Sequence, residues 1–179
     1  SIKIPKILIP YMGGIDILVT NTGGPPTGAF TEISPEKWHV GFQSLWMSVV
    51  DTIQAVLPYM KQNHWGRILL ITSLAAKEPI TNLTVSNGLR AGLLGLTKSL
   101  SHDVGKFGIT VNAILPGYTR TERLSALHVD ETKIISQIPV GRFAEPSEIA
   151  ATATFLASSQ AAFITGQAIV CDGGQSRSI

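Results

Sequence analysis

Asp16-Ile17-Leu18-Val19-Thr20-Asn21-Thr22-Gly23-Gly24-Pro25-Pro26 is the stretch whose reading decides the fold. Its apolar residues are consecutive rather than alternating, the mark of a strand covered on both faces inside a parallel sheet. The run then breaks into a cluster of hydroxyl, amide, glycine and proline residues, which is how a strand ends in a loop. Three later stretches repeat the pattern, so strands are expected at residues 15–21, 67–73, 110–115 and 167–172. Helical patterns lie between and around them, at residues 34–60 in two pieces, at 83–107, less regularly at 120–137, and at 146–158. Strand alternating with helix is the order of an open, parallel α/β sheet. In such a sheet ligands gather beyond the carboxyl ends of the strands, so the residues just after each apolar run are the ones to inspect.

Local chemistry marks the element ends. Ser34-Pro35-Glu36-Lys37 places a capping hydroxyl before a proline whose missing N–H costs nothing in a first helical turn, and Pro146-Ser147-Glu148 opens the last helix in the same way. Gly66 and Gly108 follow helix ends and are expected to be left-handed terminating residues. Beyond the strands stand Thr20-Asn21-Thr22-Gly23, Thr72-Ser73, Pro116-Gly117-Tyr118-Thr119-Arg120-Thr121 and Asp172-Gly173-Gly174. Glycines there let backbone approach a ligand closely, and hydroxyls and amides supply hydrogen bonds.

Composition bounds what the chain does. Its 179 residues suit one domain, residues 1–179, able to bury about 70% of its unfolded surface without disulfides. The single Cys171, read as a small buried hydrophobe, agrees with a reducing, cytoplasmic setting. Only 15% of residues are charged and the mean hydropathy is +0.25, so apolar surface beyond one core has to be hidden, and a homodimer or homotetramer is the expected place. No apolar run is long enough to span a membrane. A net charge of +2 with dispersed Lys and Arg argues against a nucleic-acid partner. His39, His64, His102 and His128 have no metal-ligand spacing, so no metal is expected.

The residues after the strands also carry a resemblance. Asp16 to Gly23 resembles the D-x-L-V-N-N-A-G strand of the short-chain dehydrogenase/reductase family, and Ile71-Thr72-Ser73 resembles the strand that delivers its catalytic serine. Val111-Asn112-Ala113-Ile114-Leu115-Pro116-Gly117 followed by Thr121 resembles N-x-x-x-P-G-x-x-x-T. Ile164-Thr165-Gly166-Gln167 through Asp172-Gly173-Gly174 resembles the closing T-G-x-x-x-x-x-D-G-G. The resemblance implies a Rossmann-like doubly wound parallel sheet, truncated at its N-terminal edge, because Ser1 to Gly14 holds no glycine-rich turn to cradle a pyrophosphate. It implies NAD or NADP as cofactor, given that N-terminal portion, with Asn21, Gly23, Pro116, Gly117 and Thr121 around it, and a small carbonyl or alcohol as substrate.

The same resemblance exposes a reworked centre. Where the family has Tyr-x-x-x-Lys this chain reads Ser86-Asn87-Gly88-Leu89-Arg90, and the family's catalytic asparagine aligns with Leu45. A subset of the family with apparent 3-oxoacyl-acyl-carrier-protein reductase ancestry shares the G-G-P loop and the S-N-x-x-R motif. Residues 86 and 90 lie four apart and share a helix face. An aliphatic hydroxyl is a far weaker acid than a phenol, and a guanidinium does not relay protons. Ser73, Ser86 and Arg90 are therefore the expected reaction-side residues of an oxidoreductase with a degenerate centre. The alternative is an inactive binding or assembly subunit that kept the scaffold and lost the proton relay. A serine hydrolase is disfavoured, since neither serine lies in G-x-S-x-G and no histidine is placed to be its base. Gly88, Gly92 and Gly95 fit close helix packing, which in this family joins subunits.

Overall fold

The computed structural model describes residues 14–122, 124 and 130–178. Four strands, β1 (Ile17–Asn21), β2 (Gly66–Ile71), β3 (Ile109–Pro116) and β4 (Ala168–Cys171), form one parallel sheet in the order β1-β2-β3-β4. The helices are α1 (Pro35–Gly41), α2 (Ser48–Asn63), α3 (Thr84–Val104), the short α4 (Glu131–Ile135) and α5 (Pro146–Ala157).

Helices cover both faces of β2 and β3, which explains their unbroken apolar runs. On one face Leu18, Ile68, Leu70, Val111, Ala113 and Leu115 pack with Val49, Ile53, Val56 and Met60 of α2 and Leu93 of α3. On the other, Leu69 of β2 and Ile114 of β3 pack with Leu156 of α5. β1 is covered on the first face only: Leu18 is buried, while Ile17 and Val19 remain 46% and 47% exposed. A Rossmann-like α/β sheet with helices on both sides is thus the architecture expected from the strand pattern.

Three local expectations change. Residues 34–60 are not two separate helices, because a π-helical segment, Phe42–Met47, carries α1 directly into α2. Ser48 Oγ donates to Ser44 O at 2.6 Å and Thr52 Oγ1 to Ser48 O at 2.6 Å, back-bonds of the kind that bend a helix without ending it. The left-handed residue closing α2 is His64, with φ 52°, rather than Gly66, which opens β2. Gly66 is instead needed for closeness: a Cβ there would stand 2.7 Å from the Met60 sulfur. Gly108 does hold φ +68°, against the His64 carbonyl.

Within 120–137 only Glu131–Ile135 is a regular helix, capped by Asp130, whose carboxylate accepts from Lys133 N at 3.1 Å. Residues 123 and 125–129, including His128, lie outside the described set, as does the stretch 1–13 to which the expected loss of a glycine-rich turn refers.

Candidate active site

The sheet register sets the site. Asn21 pairs with Ile71, Ile71 with Ile114, and Pro116 with Cys171, so the loops after all four strands leave the sheet at one edge. Asn21 is exposed at the end of β1, and Gly23 stands in open space, with nothing within 4 Å of where a side chain would begin. A ligand can therefore approach the Gly23 backbone unhindered. The following Pro25 is buried against Gly41, and Gly28 N donates to Asn82 O at 2.7 Å, seating the G-G-P-P loop beside the start of α3.

Gly117 has a different reason to be glycine. Its N–H donates to Cys171 O at 2.9 Å, and a Cβ would lie 2.8 Å from the Asp172 Cα. The residue locks the end of β3 to the end of β4. Thr119 Oγ1 donates to Gly117 O at 3.1 Å, and Thr121 Oγ1 accepts from Leu124 N at 3.4 Å, so the loop that carries Thr121 is tied to itself beyond Pro116. Asp172 closes the edge: its carboxylate accepts from Gly174 N at 2.9 Å and Ser176 N at 2.7 Å. Partial burial disfavours its charge, yet the hydrogen bonds from Ser176, Gly174 and Gln175 outweigh that and hold the carboxyl below its ordinary range.

Ser73, Ser86 and Arg90 come together at the end of β2. Ser73 Oγ accepts from Ala75 N at 3.2 Å and caps the turn that follows. Ser86 and Arg90 are each 8% exposed. Arg90 Nε donates to Ser86 Oγ at 3.1 Å, and its Nη1 donates to Thr72 O at 2.5 Å and to Ile71 O at 3.5 Å. The guanidinium therefore fastens α3 to the strand end that presents Ser73. Leu45, at the family's asparagine position, is fully buried in the main core and touches no part of this edge with a polar group.

Sequence reasoning missed several contributors. Asn87, the second residue of S-N-x-x-R, donates to Ile80 O at 2.9 Å and accepts from Ile80 N at 3.2 Å, fixing the loop before α3. Glu78 accepts from Arg177 N at 2.6 Å and Ser178 N at 2.8 Å, anchoring the chain's last described residues across the edge. Asn112, fully buried, donates to Ile164 O at 2.8 Å and accepts from Gln167 N at 3.1 Å, pinning β4 to β3. Asn87 and Asn112 were visible as polar residues in apolar surroundings; the partner of Glu78, about a hundred positions away, left no local signal. Between these parts opens a cleft of about 470 Å³ that includes Leu74, Ile80 and Tyr118.

A family model described as enoyl-(acyl carrier protein) reductase matches residues 6–176. The chain belongs to the short-chain dehydrogenase/reductase family. Among relatives of this short-chain dehydrogenase/reductase, an acetoacetyl-CoA reductase of Shinella zoogloeoides is 39% identical over 166 residues, 92% of this chain and 69% of that protein. The 3-oxoacyl-(acyl-carrier-protein) reductase FabG of Vibrio cholerae is 33% identical over 170 residues, 94% of this chain and 70% of that protein. Two solved structures superpose with TM-scores of 0.92. One is YwfH, an NADPH-dependent reductase involved in bacilysin biosynthesis, 32% identical, covering 98% of this chain and 72% of its own. The other is a gluconate 5-dehydrogenase from Burkholderia cenocepacia in complex with NADP and tartrate, 28% identical, covering 98% of this chain and 70% of its own. The chain is thus an oxidoreductase of the short-chain type, similar to 3-oxoacyl-acyl-carrier-protein reductases, in a family that uses NAD(P). No described helix is long and apolar enough to cross a membrane.

Proposed function

We propose that this short-chain dehydrogenase/reductase, in its complete form with the N-terminal portion present, uses NAD or NADP to interconvert a small carbonyl compound and its alcohol, at a centre built on Ser73, Ser86 and Arg90. The single domain, residues 1–179, works in the cytoplasm as a homodimer or homotetramer. The observation that carries the reading is the Arg90 guanidinium on Thr72 O at 2.5 Å with Ser86 on its Nε, which brings both altered positions to the strand end bearing Ser73.

The residues fit a dinucleotide at one test. The open space at Gly23 and the exposed Asn21 amide leave room for its backbone-lined approach, and Pro116, Gly117 and Thr121 border the neighbouring strand end. When bound, the cofactor supplies or accepts the hydride. The chain's own task is then to orient the carbonyl oxygen and keep one proton available to it. Ser86 Oγ already accepts from Arg90, so its own hydrogen is the one it donates outward, and Arg90 keeps that hydroxyl in a fixed direction without giving up a proton. A serine alkoxide does not persist as a phenolate would, so water has to return a proton to Ser86 as it gives its own to the carbonyl oxygen.

Titration with NADH and NADPH, followed by fluorescence, tests the proposal directly. Binding accompanied by slow carbonyl reduction is the expected result, with Ser86→Ala lowering the rate about 100-fold and leaving cofactor affinity intact. Failure to bind either nucleotide would remove the redox reading, and binding without turnover across aldehydes, ketones and keto acids would favour the inert binding subunit.

A further inference from the structure

One wall of the cleft belongs to no helix or strand. Beyond β4 the chain runs through Asp172, Gly173 and Gly174 into an arm whose Gln175 and Arg177 line the cleft together with Leu74, Glu78 and Ile80 of the loop after β2. The near end of that arm is built in. Asp172 takes the N–H groups of Gly174 and Ser176, Gly173 O accepts from Val140 N at 3.2 Å, and a Cβ on Gly173 would stand 2.9 Å from Ile138 Cγ2. The far end is held differently. Arg177 and Ser178 are exposed, and their hydrogen bonds among the described residues are the two from their N–H groups to Glu78 Oε1, at 2.6 and 2.8 Å. Between the two ends, Gln175 Oε1 is closed to water and has no donor. A buried acceptor left unmet costs free energy that hydration returns, so the closed wall carries a penalty that Glu78 has to outweigh.

From this geometry we infer that Glu78 is a positioning residue that governs entry to the cleft: gripping the arm it closes the wall, and letting go it opens the cleft beside Ser73. The inference rests on the oxidoreductase reading only for what passes the gate. Glu78 is well placed for the task because its own loop is fixed on either side of it. Arg90 holds Thr72 O, and Asn87 holds both polar backbone groups of Ile80, so Ser73 and Glu78 lie between two anchored points. Motion therefore falls to the arm, whose far end hangs on one carboxylate oxygen. Charge-assisted bonds of that kind are strong enough to keep the wall closed, and at the protein edge they open locally without unfolding the sheet.

Amide exchange in the full chain measures the grip, and labelling of a thiol inside the cleft measures the gate. Glu78→Ala is expected to speed exchange at Arg177 and Ser178 at least about tenfold. Glu78→Gln keeps an acceptor without the charge and should fall between that variant and the native protein. Gln175→Met removes the unmet acceptor and should slow exchange at the same two amides about fivefold or more. For the gate, Leu74→Cys is made in a Cys171→Ala background, since Leu74 lines the cleft and is 4% exposed. Ile80→Cys replaces it if cooperative melting is lost. Labelling by Ellman's reagent should accelerate with Glu78→Ala and slow with Gln175→Met, in step with the exchange rates. General loosening would accelerate both readouts in every variant, so the opposite shifts separate a gate from structural damage. Unchanged exchange in Glu78→Ala, unchanged or faster exchange in Gln175→Met, or labelling that does not follow exchange would each overturn the inference. Neither readout uses nucleotide, and NADPH binding is followed separately by fluorescence. A protein that shows the paired shifts but binds no nucleotide keeps the gate and loses the redox reading. One that binds NADPH without the shifts keeps the redox reading and loses the gate.

Discussion

A buried arginine is costly unless hydrogen-bond acceptors replace the water it gave up. Arg90 meets that condition with Thr72 O, Ile71 O and Ser86 Oγ. Arg90→Met keeps much of the volume and removes every donor, leaving the Thr72 carbonyl shielded and unpaired. A loss of about 2–3 kcal/mol in urea unfolding is expected, together with weaker nucleotide binding; unchanged stability would mean that the strand end is held by other contacts. A second residue-scale prediction concerns Glu148 at the start of α5. Arg142 forks its carboxylate with two bonds of 2.7 Å, and Glu145 N adds a third at 2.8 Å. The Arg142 hydrogen bonds, followed by that from Glu145, hold the carboxyl down at about 2. A folded value below the unfolded one, about 4.3, means that this stabilisation is fully present above the ordinary carboxylate range and is lost as pH falls toward about 2. Carboxyl chemical shifts should place the Glu148 midpoint near 2 in the native protein and return it toward 4.3 in Arg142→Met. Because the pair is exposed, salt should shrink the difference.

At the scale of elements, β4 depends on a side chain. Asn112 bridges Ile164 O and Gln167 N from within β3, and Thr165 Oγ1 accepts from Val111 N at 3.0 Å beside it. Asn112→Ala removes both bridges in a fully buried setting, so a loss of about 2 kcal/mol is expected. Amide exchange at Gln167 should accelerate before exchange in β2 does. Uniform acceleration across the sheet would show that β4 does not loosen separately. This dependence also explains what the sequence made legible. Four apolar runs ending in polar and glycine-rich loops were enough to place β1 to β4; β2 and β3, buried on both faces, have little choice of composition, whereas β1 keeps its apolar run with Ile17 and Val19 exposed. Ser34 and Pro146 marked helix starts for the same local reason. The π-helical Phe42–Met47 was not legible, since a turn with one extra residue keeps nearly the same apolar face and Leu45 simply fills it. Nor could a count of residues tell that His64 rather than Gly66 would turn left-handed; Gly66 is glycine because Met60 packs where its side chain would begin. The family pattern pointed to Ser73, Ser86 and Arg90 as candidates, but not to Arg90 holding backbone carbonyls. The clamp by Glu78 joins positions 99 and 100 residues apart, beyond any local pattern.

For the whole molecule, the low charged fraction and the glycines of α3 bear on one question, how copies associate. Gly92 serves its own chain, since a Cβ there would meet the Trp46 ring at 2.7 Å. Gly95, also on α3, is exposed and has nothing within 4 Å of its missing side chain. Phe42 stacks on Trp46 with ring centroids 6.1 Å apart and is itself 39% exposed, so apolar surface continues from α3 onto the π-helical segment. If α3 packs against its symmetry mate in the proposed homodimer, Gly95 is where the two backbones come closest, and a long charged side chain is intolerable only there. Gly95→Arg separates interface from fold. Within one chain it meets open space and improves helix propensity by about 1 kcal/mol, so melting of the isolated chain should not fall. Across a tight helix pair it forces an unpaired charge into contact with its copy. Sedimentation should therefore give an assembly for the native protein and about half its mass, or a quarter for a tetramer that also depends on this contact, for the variant. An unchanged mass would clear α3 of the interface, and a monomeric native protein would require another account of the low charge fraction.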